Sequence, residues 1–196
     1  NAPLVTNANS GAIILSSQTV WSLGDIHFIN QGRIIIKGGS VLSATGLTEQ
    51  TSSGTFTVNG TLVVDANGAS DNYLQGLFRG NGTINFRGSM KSKLANLAIL
   101  DSLLNVKIDD NHDVIIEDGV TSMVMNSLDI GNGGHLFVKS NPLDLTANNI
   151  SIHDDGRMTT YYGLVTSDNE CSNCYDLNVT ATTFLLATNG SVQVSA

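Results

Sequence analysis

The chain has 196 residues, of which 41% are hydrophobic and 13% are charged, and this composition predicts an ordered protein with a buried core. Its formal net charge of −8, with only nine lysines and arginines together, argues against a phosphate-binding surface, so we expect no nucleic acid partner. No apolar run approaches the roughly 18 residues of a membrane-spanning helix, and we expect no membrane insertion.

A glycine followed by apolar residues at the second and fourth positions recurs along the chain. It is clearest in residues 78–89, FRGNGTINFRGS, where Gly82 precedes Ile84 and Phe86. Apolar residues at every second position are typical of β-strands, because successive side chains point to opposite faces. The pattern holds wholly or nearly at seven anchor glycines: Gly11, Gly32, Gly60, Gly82, Gly134, Gly156 and Gly190. An eighth, weaker turn has Asp113 in place of the glycine, with Ile115 at the second position.

The residues before each anchor predict sharp corners between the strands. Asn and Asp tolerate left-handed backbone and bond locally, as a corner requires. One of them occupies one of the two places before every anchor: Asn9, Asn30, Asn59, Asn81, Asn111, Asn132, Asp155 and Asn189.

Successive anchors are separated by a basic unit of about 22 residues, and insertions lengthen three of the intervals. Self-similarity at this period indicates a solenoid. We predict an all-β fold, a right-handed parallel β-helix of about eight coils that forms one domain over residues 1–196. Two segments, 91–108 and 161–180, depart from the pattern and are expected to be irregular, the first with a short helix or an irregular coil. The alternative is an antiparallel β-sandwich, which also uses short alternating strands between turns.

Three phrases, FTVNGTLVVDANG, LFRGNGTINFRGS and LTANNISIHDDGRM, resemble coils of the parallel β-helix passengers of bacterial autotransporters and of filamentous haemagglutinin-type adhesins. They are similar to coils of other extracellular β-helix proteins as well. The likeness covers most of the chain, but its motifs are generic to the fold and carry no catalytic signature. It implies an extracellular or cell-surface protein concerned with adhesion or with fibre formation.

The third position after each anchor should face outward if the second and fourth face the core. Five apolar residues occupy that column and are interface candidates: Ile14, Ile35, Val63, Ile116 and Phe137. An apolar stripe on an outer face needs a cover, which is either a long insertion folded back over it or a partner.

Self-association is a further expectation, because a β-helix leaves open strand edges at both ends and the last turn reaches Val194 with no cap apparent. Either the chain is part of a longer solenoid, or copies associate end to end or laterally. A host or cell-surface glycan or protein is the other expected class of partner.

Cys171 and Cys174, in the phrase CSNC, lie in the longest insertion. Redox use of such a pair needs a helix start in a βαβ context, and zinc needs four ligands. We therefore predict a local disulfide, with free thiols and a metal or redox site as the alternatives.

Acidic clusters offer further candidates for a cofactor or for catalysis. Four residues carry oxygen ligands suited to calcium: Asp109, Asp110, Asn111 and Asp113. No EF-hand spacing is present, so we expect no cofactor, with calcium as the alternative. Asp154 and Asp155, with Arg157 nearby, are the nearest to a polysaccharide lyase or glycoside hydrolase site. Adjacent strand residues point to opposite faces, so the pair flanks one bond only if it lies at a bend.

The sequence therefore predicts a non-catalytic structural or adhesive solenoid, not an enzyme. The rivals are a polysaccharide lyase or hydrolase and a carbohydrate-binding module, whose mark would be aromatic residues on an accessible face. The aromatic candidates are Trp21, Tyr161, Tyr162 and Tyr175. The histidines at 27, 112, 135 and 153 are expected to have structural roles.

Five glycosylation sequons are present, close to the number expected by chance: Asn59, Asn81, Asn149, Asn178 and Asn189.

Overall fold

The computed structural model describes residues 3–46, 48–67, 70–95, 99–101, 103–140, 142–160 and 177–193. These residues form 22 strands, and none of them belongs to a helix long and apolar enough to cross a membrane. Every strand pair among them is parallel, and the strands stack as a β-solenoid of about seven turns. The predicted parallel β-helix architecture is confirmed, close to the expected coil count. The antiparallel sandwich is wrong, because it would need antiparallel pairs.

The described strands form three sheets, which we call A, B and C. Sheet A contains, in order across the sheet, β1 (Leu4–Asn7), β4 (His27–Asn30), β7 (Thr48–Gln50), β10 (Asn72–Leu74), β13 (Ser92–Leu94), β16 (Asp113–Ile116), β18 (His135–Val138), β20 (Arg157–Thr160) and β22 (Ser191–Gln193). Sheet B contains β2 (Ala12–Leu15), β5 (Arg33–Ile36), β8 (Thr55–Val58), β11 (Leu77–Arg79) and β14 (Ile99–Leu100). Sheet C contains β3 (Val20–Asp25), β6 (Val41–Thr45), β9 (Thr61–Asp65), β12 (Thr83–Arg87), β15 (Asn105–Ile108), β17 (Ser122–Ile130), β19 (Leu143–Ile152) and β21 (Leu177–Leu186).

The cross-section changes along the solenoid. In the first turns the chain passes through separate short strands of sheets B and C, whereas β17, β19 and β21 are single strands of nine or ten residues. β17 begins beside β14 and continues into sheet C. The amide side chains of Asn105, Asn126 and Asn148 form a ladder there, with N···O distances of 2.8 and 3.0 Å. The ladder ties three successive turns together.

The anchor glycines are needed because successive turns approach closely at the corners. A Cβ atom on Gly82 would lie 2.1 Å from the carbonyl oxygen of Gly60, and one on Gly60 would lie 2.2 Å from that of Ser40. Side chains never tolerate contacts this short, so only glycine lets these turns stack at the spacing of parallel strands.

The anchors do not mark one repeated corner, however. Gly11 and Gly32 precede strands of sheet B, whereas Gly60 and Gly82 precede strands of sheet C. The three later anchors precede strands of sheet A: Gly134, Gly156 and Gly190. Each turn has several corners with similar residues, and apolar residues alternate with a period of two in the strands of every sheet. The sequence pattern therefore does not distinguish one sheet from another. At the eighth anchor the predicted register is off by one, because Val114 and Ile116 face the core and Ile115 faces outward.

The core is a stack of inward columns, each formed by residues that lie opposite one another on neighbouring strands. One column of sheet C runs from Trp21 through Ile84 to Phe184, and its inner members are fully or almost fully buried. Burial of such apolar side chains contributes about 1.5–3 kcal/mol each. Phe56 and Phe78, in sheet B, stack with ring centroids 5.5 Å apart.

One inward column of sheet A is polar at its start. Asn7 donates to Asn30 Oδ1, and Asn30 donates to Gln50 Oε1, each at 2.9 Å. Gln50 then donates to the carbonyl oxygen of residue 75 at 2.7 Å. Because each buried amide is paired with the next turn, the ladder satisfies polar groups that would otherwise be costly inside the core.

The segment 91–108 is more regular than predicted. Its described residues contribute three strands, β13, β14 and β15, and residues 96–98 and 102 lie outside the described residues. Of the segment 161–180, residues 161–176 lie outside the described residues, and residues 177–180 begin the strand β21.

Candidate functional site

The outer face of sheet A, between β10 and β18, carries a group of charged and aromatic side chains. The strands here bury alternate residues, such as Ser92 and Leu94 in β13, so the residues before and between them face outward. We call this group the platform, and its members are Asp71, Tyr73, Lys91, Lys93, Asp113, Ile115, His135 and Phe137.

One end of the platform is an ion pair beside an aromatic ring. Lys93 Nζ lies 3.0 Å from Asp71 Oδ2 and 5.7 Å from the centroid of the Tyr73 ring. Partial burial raises the pKa of the Asp71 carboxyl, but hydrogen bonds from the Lys93 side chain and the Lys91 backbone N–H outweigh it and hold that pKa below its usual value. The hydrogen bond to Asp71 in turn raises the pKa of Lys93. Both groups are therefore charged at neutral pH.

The other end repeats this chemistry with a histidine. Lys91 Nζ lies 3.5 Å from Asp113 Oδ2 and 5.9 Å from the centroid of the Phe137 ring. His135 Nδ1 donates to Asp113 Oδ1 at 3.1 Å, and the His135 and Phe137 rings meet edge to face at 5.3 Å. Asp113 thus interacts with both neighbouring turns, through an ion pair with Lys91 and a hydrogen bond from His135.

Tyr73 and Phe137 lie in the same outward column, with Lys93 and Ile115 between them. Three strand spacings separate the two rings, which corresponds to roughly 14 Å at about 4.8 Å a strand. Tyr73 is 41% exposed, Phe137 is half-buried, and Ile115 is nearly covered. The platform therefore presents two aromatic rings along one outward column, with positively and negatively charged hydrogen-bonding groups beside them.

The five apolar interface candidates do not form the predicted stripe. Ile14 and Ile35 are neighbours in sheet B, whereas Val63 lies in sheet C, and Ile116 and Phe137 lie in sheet A. Ile14 is 58% exposed, but Val63 is 8% exposed and Ile116 is fully buried. The prediction of one aligned stripe is wrong because the anchors precede strands of three different sheets. Of the five, Phe137 belongs to the platform.

Other candidate residues are scattered. Cys171 and Cys174 lie outside the described residues, so the predicted disulfide stays a prediction. All five sequon asparagines are exposed, with three in corners and two in strands: Asn59, Asn81, Asn149, Asn178 and Asn189. Glycosylation of them also stays a prediction.

The acidic residues considered as calcium ligands form hydrogen bonds and ion pairs with different residues. Lys107 Nζ lies 2.8 Å from Asp109 Oδ1, Asp110 Oδ1 accepts the backbone N–H of Asn132 at 2.8 Å, and Asp113 belongs to the platform. Within the described part of the chain, no three His, Cys, Asp or Glu side chains converge as a metal site would require. Asp154 and Asp155 lie at a turn, where Asp155 has a left-handed φ of 57°.

A serine and a histidine meet inside the core. His112 Nδ1 lies 3.0 Å from the carbonyl oxygen of Gly88, which only accepts, so Nδ1 carries the proton. Nε2 of the neutral ring then accepts the hydroxyl of Ser92 at 3.0 Å. This geometry resembles an activated nucleophile, but both side chains are fully buried and no solvent reaches them. The pair ties β13 to the corner before β16.

We expect His112 to make the protein less stable in acid. Burial lowers the pKa of His112, although the Gly88 carbonyl and the charges of Asp113, Asp109 and Asp65 oppose that shift. The folded state therefore favours the neutral ring, and stability is lost as the pH falls below the unfolded pKa of about 6.5. The urea midpoint of the wild type should fall between pH 7.5 and 5.5, and the fall should be smaller in His112→Gln. The exposed His153→Gln is the control, and equal pH dependence in the His112→Gln variant and the wild type would contradict the prediction.

The platform includes residues that sequence reasoning did not single out. Trp21 belongs to an inward column, and the tyrosines at 161, 162 and 175 lie outside the described residues. Tyr73 was missed because it lies in DNYL, in the middle of the interval between Gly60 and Gly82 and away from both anchor glycines. The signal that could have found it is its place directly before the apolar Leu74, since neighbouring strand residues point to opposite faces.

Comparison of the chain with protein-family models, with curated proteins and with solved structures found no match.

Proposed function

We propose that this chain is a non-catalytic structural and adhesive solenoid, secreted or displayed on a cell surface, that binds carbohydrate on the platform. The observation that carries the proposal is the placement of Tyr73 and Phe137 in one accessible outward column, flanked by paired charges. Accessible aromatic rings are the feature expected of a carbohydrate-binding module.

The chemistry of the two rings favours a sugar chain over other ligands. A sugar ring has an apolar face of C–H groups and a rim of hydroxyls. Tyr73 and Phe137 offer flat apolar contact at little entropic cost, and they lie along the axis on which an extended chain would run. Each ring now has a lysine ammonium nearby, and these flexible side chains can move aside to bond the sugar hydroxyls.

The charges of the platform favour a polar, hydroxyl-rich ligand. Lys91 and Lys93 are balanced by Asp71 and Asp113, so the surface has no excess charge to attract a polyanion. The carboxylates accept hydrogen bonds from hydroxyl groups and the ammonium groups donate to them, which gives both halves of the hydrogen bonding that a sugar needs.

We expect Tyr73→Ala and Phe137→Ala each to weaken binding to the preferred polysaccharide. Loss of one stacking ring should cost about 1 kcal/mol or more, which is roughly fivefold in Kd. The measurement is retention on a panel of immobilised neutral and acidic polysaccharides, followed by titration with a soluble oligosaccharide of the best one.

A matched lysine pair provides the control. Lys93→Ala removes a platform ammonium, whereas Lys107→Ala removes one that pairs with Asp109 on the outer face of sheet C. Binding should fall in the first variant and stay unchanged in the second. Absence of binding to every polysaccharide, or binding that is indifferent to both ring variants, would refute the proposal.

A further inference from the structure

The outer face of sheet B carries positive charge, although the chain as a whole has a formal net charge of −8. The three central strands of this sheet, β5, β8 and β11, lie between β2 and β14, and none of the five strands contains an acidic residue. The central strands bury alternate residues, and their outward residues form what we call the basic patch: Arg33, Ile35, Thr55, Thr57, Leu77 and Arg79. Lys37 directly follows β5, is exposed and adds a third positive charge at the edge of the patch.

The cations of sheet B differ from most of those on the other two sheets, because no carboxylate pairs with them. On or beside the strands of sheets A and C, four cations form ion pairs with aspartates: Arg87, Lys91, Lys93 and Lys107. Among the described residues, no ion pair involves Arg33, Lys37 or Arg79. Neighbouring positive charges without a partner favour an anionic ligand.

The side chain of Arg79 is already held across the patch. Its Nε–H donates to Thr57 Oγ1 at 3.1 Å, so the side chain turns toward β8. Asp101 follows β14, on the other side of β11, and its Oδ1 accepts the backbone N–H of Leu103. Within the described part of the chain, the two terminal nitrogens of Arg79 form no hydrogen bond, and a guanidinium group donates through such a fork to carboxylates.

The two arginines are placed to reach one ligand. Arg33 and Arg79 lie two strands apart and two residues apart along the strand direction, so their Cα atoms are roughly 12 Å apart at about 4.8 Å a strand and 3.3 Å a residue. Thr55 and Thr57 lie between them on β8 and supply hydroxyl groups that both donate and accept. The two apolar residues of the patch are half-buried and add a small apolar surface.

The size of the basic patch favours a small ligand over a protein partner. Its three strands span roughly 10 Å, and its outward residues extend about 7 Å along them, which gives an area of roughly 70 Å². Each partner in a stable protein interface contributes about 800 Å². Charge, hydroxyl groups and limited apolar contact within so small an area match an acidic sugar.

We infer that the basic patch binds a short acidic oligosaccharide, with a sugar carboxylate paired to Arg79 and Arg33 and sugar hydroxyls bonded to the two threonines. The excess negative charge of the chain does not prevent this binding, since charges are screened beyond about 8 Å at physiological ionic strength. The patch lies on sheet B and the platform lies on sheet A, so this inference stands whether or not the platform binds carbohydrate.

Calorimetric titration with trigalacturonate, and with sialyllactose as a second acidic sugar, tests the site. Uncharged galactotriose is the matched ligand, and it should bind the patch at least about tenfold more weakly than trigalacturonate, because it lacks the charged acceptor. In a Tyr73→Ala/Phe137→Ala background, which removes both platform rings, binding of the acidic sugar should persist.

Arginine variants locate the binding. Arg33→Ala and Arg79→Ala should each weaken binding of the acidic sugar about tenfold, as expected for loss of a hydrogen bond to a charged group. Arg79→Lys keeps the charge but loses the fork, and should weaken binding as well. Lys107→Ala is the control, because it removes a cation from sheet C and should leave binding unchanged.

Each outcome bears on the inference. Acidic-sugar binding that weakens in both alanine variants and persists in Lys107→Ala supports it. Absence of binding by both acidic sugars, or binding that Arg33→Ala and Arg79→Ala retain with unchanged circular dichroism, overturns it. A polyglutamate peptide that binds more tightly than the sugars, or inorganic phosphate that competes as well as trigalacturonate, overturns the assignment to a sugar. Failure of the platform to bind would appear with galactotriose and the neutral polysaccharides, and would not affect these results.

Discussion

Replacing Ile84 with aspartate is expected to prevent the solenoid from folding stably. Ile84 is fully buried in sheet C, between Leu62 and Val106 on the neighbouring strands. A carboxylate at this position would have no partner and no water, and an uncompensated buried charge is among the most costly changes in a protein. We expect a loss of more than about 4 kcal/mol, which exceeds the effect of most single substitutions.

The control lies one residue away. Thr83→Asp introduces the same side chain on the same strand, but Thr83 faces outward and is partly exposed. Thr83→Asp should unfold in urea close to the wild-type midpoint, whereas Ile84→Asp should lack a cooperative transition in circular dichroism. Normal melting of Ile84→Asp would show that Ile84 does not face the core and would refute the register of sheet C.

The sequence was sufficient to predict the solenoid because its signals are local. Alternation over four residues marks a strand, and the corner glycines mark close approaches between turns, as at Gly60 and Gly82. Both signals recur with a period of about 22 residues, and a parallel stack is the fold in which such a period buries a continuous core. Neither signal depends on knowing which sheet a strand joins.

The assignment of faces could not be read from the same signals. Gly32 and Gly134 have similar surroundings in the sequence, yet one precedes sheet B and the other precedes sheet A. Which corner carries the glycine is decided by how the turns stack, and that is a property of residues 20 or more positions apart. The predicted stripe combined residues from three sheets for this reason, whereas the one-residue register error at the eighth anchor placed the buried Ile116 on the surface.

The platform was hidden for a related reason. Lys93 and Asp71 are 22 residues apart, and so are His135 and Asp113, so each contact joins neighbouring turns. Such contacts follow from the register, and a one-residue change in register would turn Tyr73 and Phe137 toward the core. Once the strand pairing is known, the outward columns can be written directly from the sequence.

Replacing Asn30 with alanine is expected to loosen the first turns of the solenoid. Asn30 is fully buried and is the middle of the ladder, with Asn7 on one side and Gln50 on the other. Alanine removes both ladder hydrogen bonds and leaves the side-chain oxygen Oε1 of Gln50 buried without its donor. An unsatisfied buried group costs about 1–3 kcal/mol, and the lost side chain adds a cavity, so we expect a total loss of about 2–4 kcal/mol.

The location of that loss is as informative as its size. Each turn of a solenoid contacts only its neighbours, so the damage should be confined to nearby turns. Hydrogen exchange in Asn30→Ala should accelerate in β1, β4 and β7, while β16 and β18 keep their wild-type protection. Asn148→Ala is the matched control, because it removes an amide from the ladder of Asn105, Asn126 and Asn148. Asn148 is exposed, so water can replace its hydrogen bond to Asn126, and the loss of stability should stay below about 1 kcal/mol. Equal losses in the two variants would mean that burial of the ladder contributes nothing to the stability of the first turns.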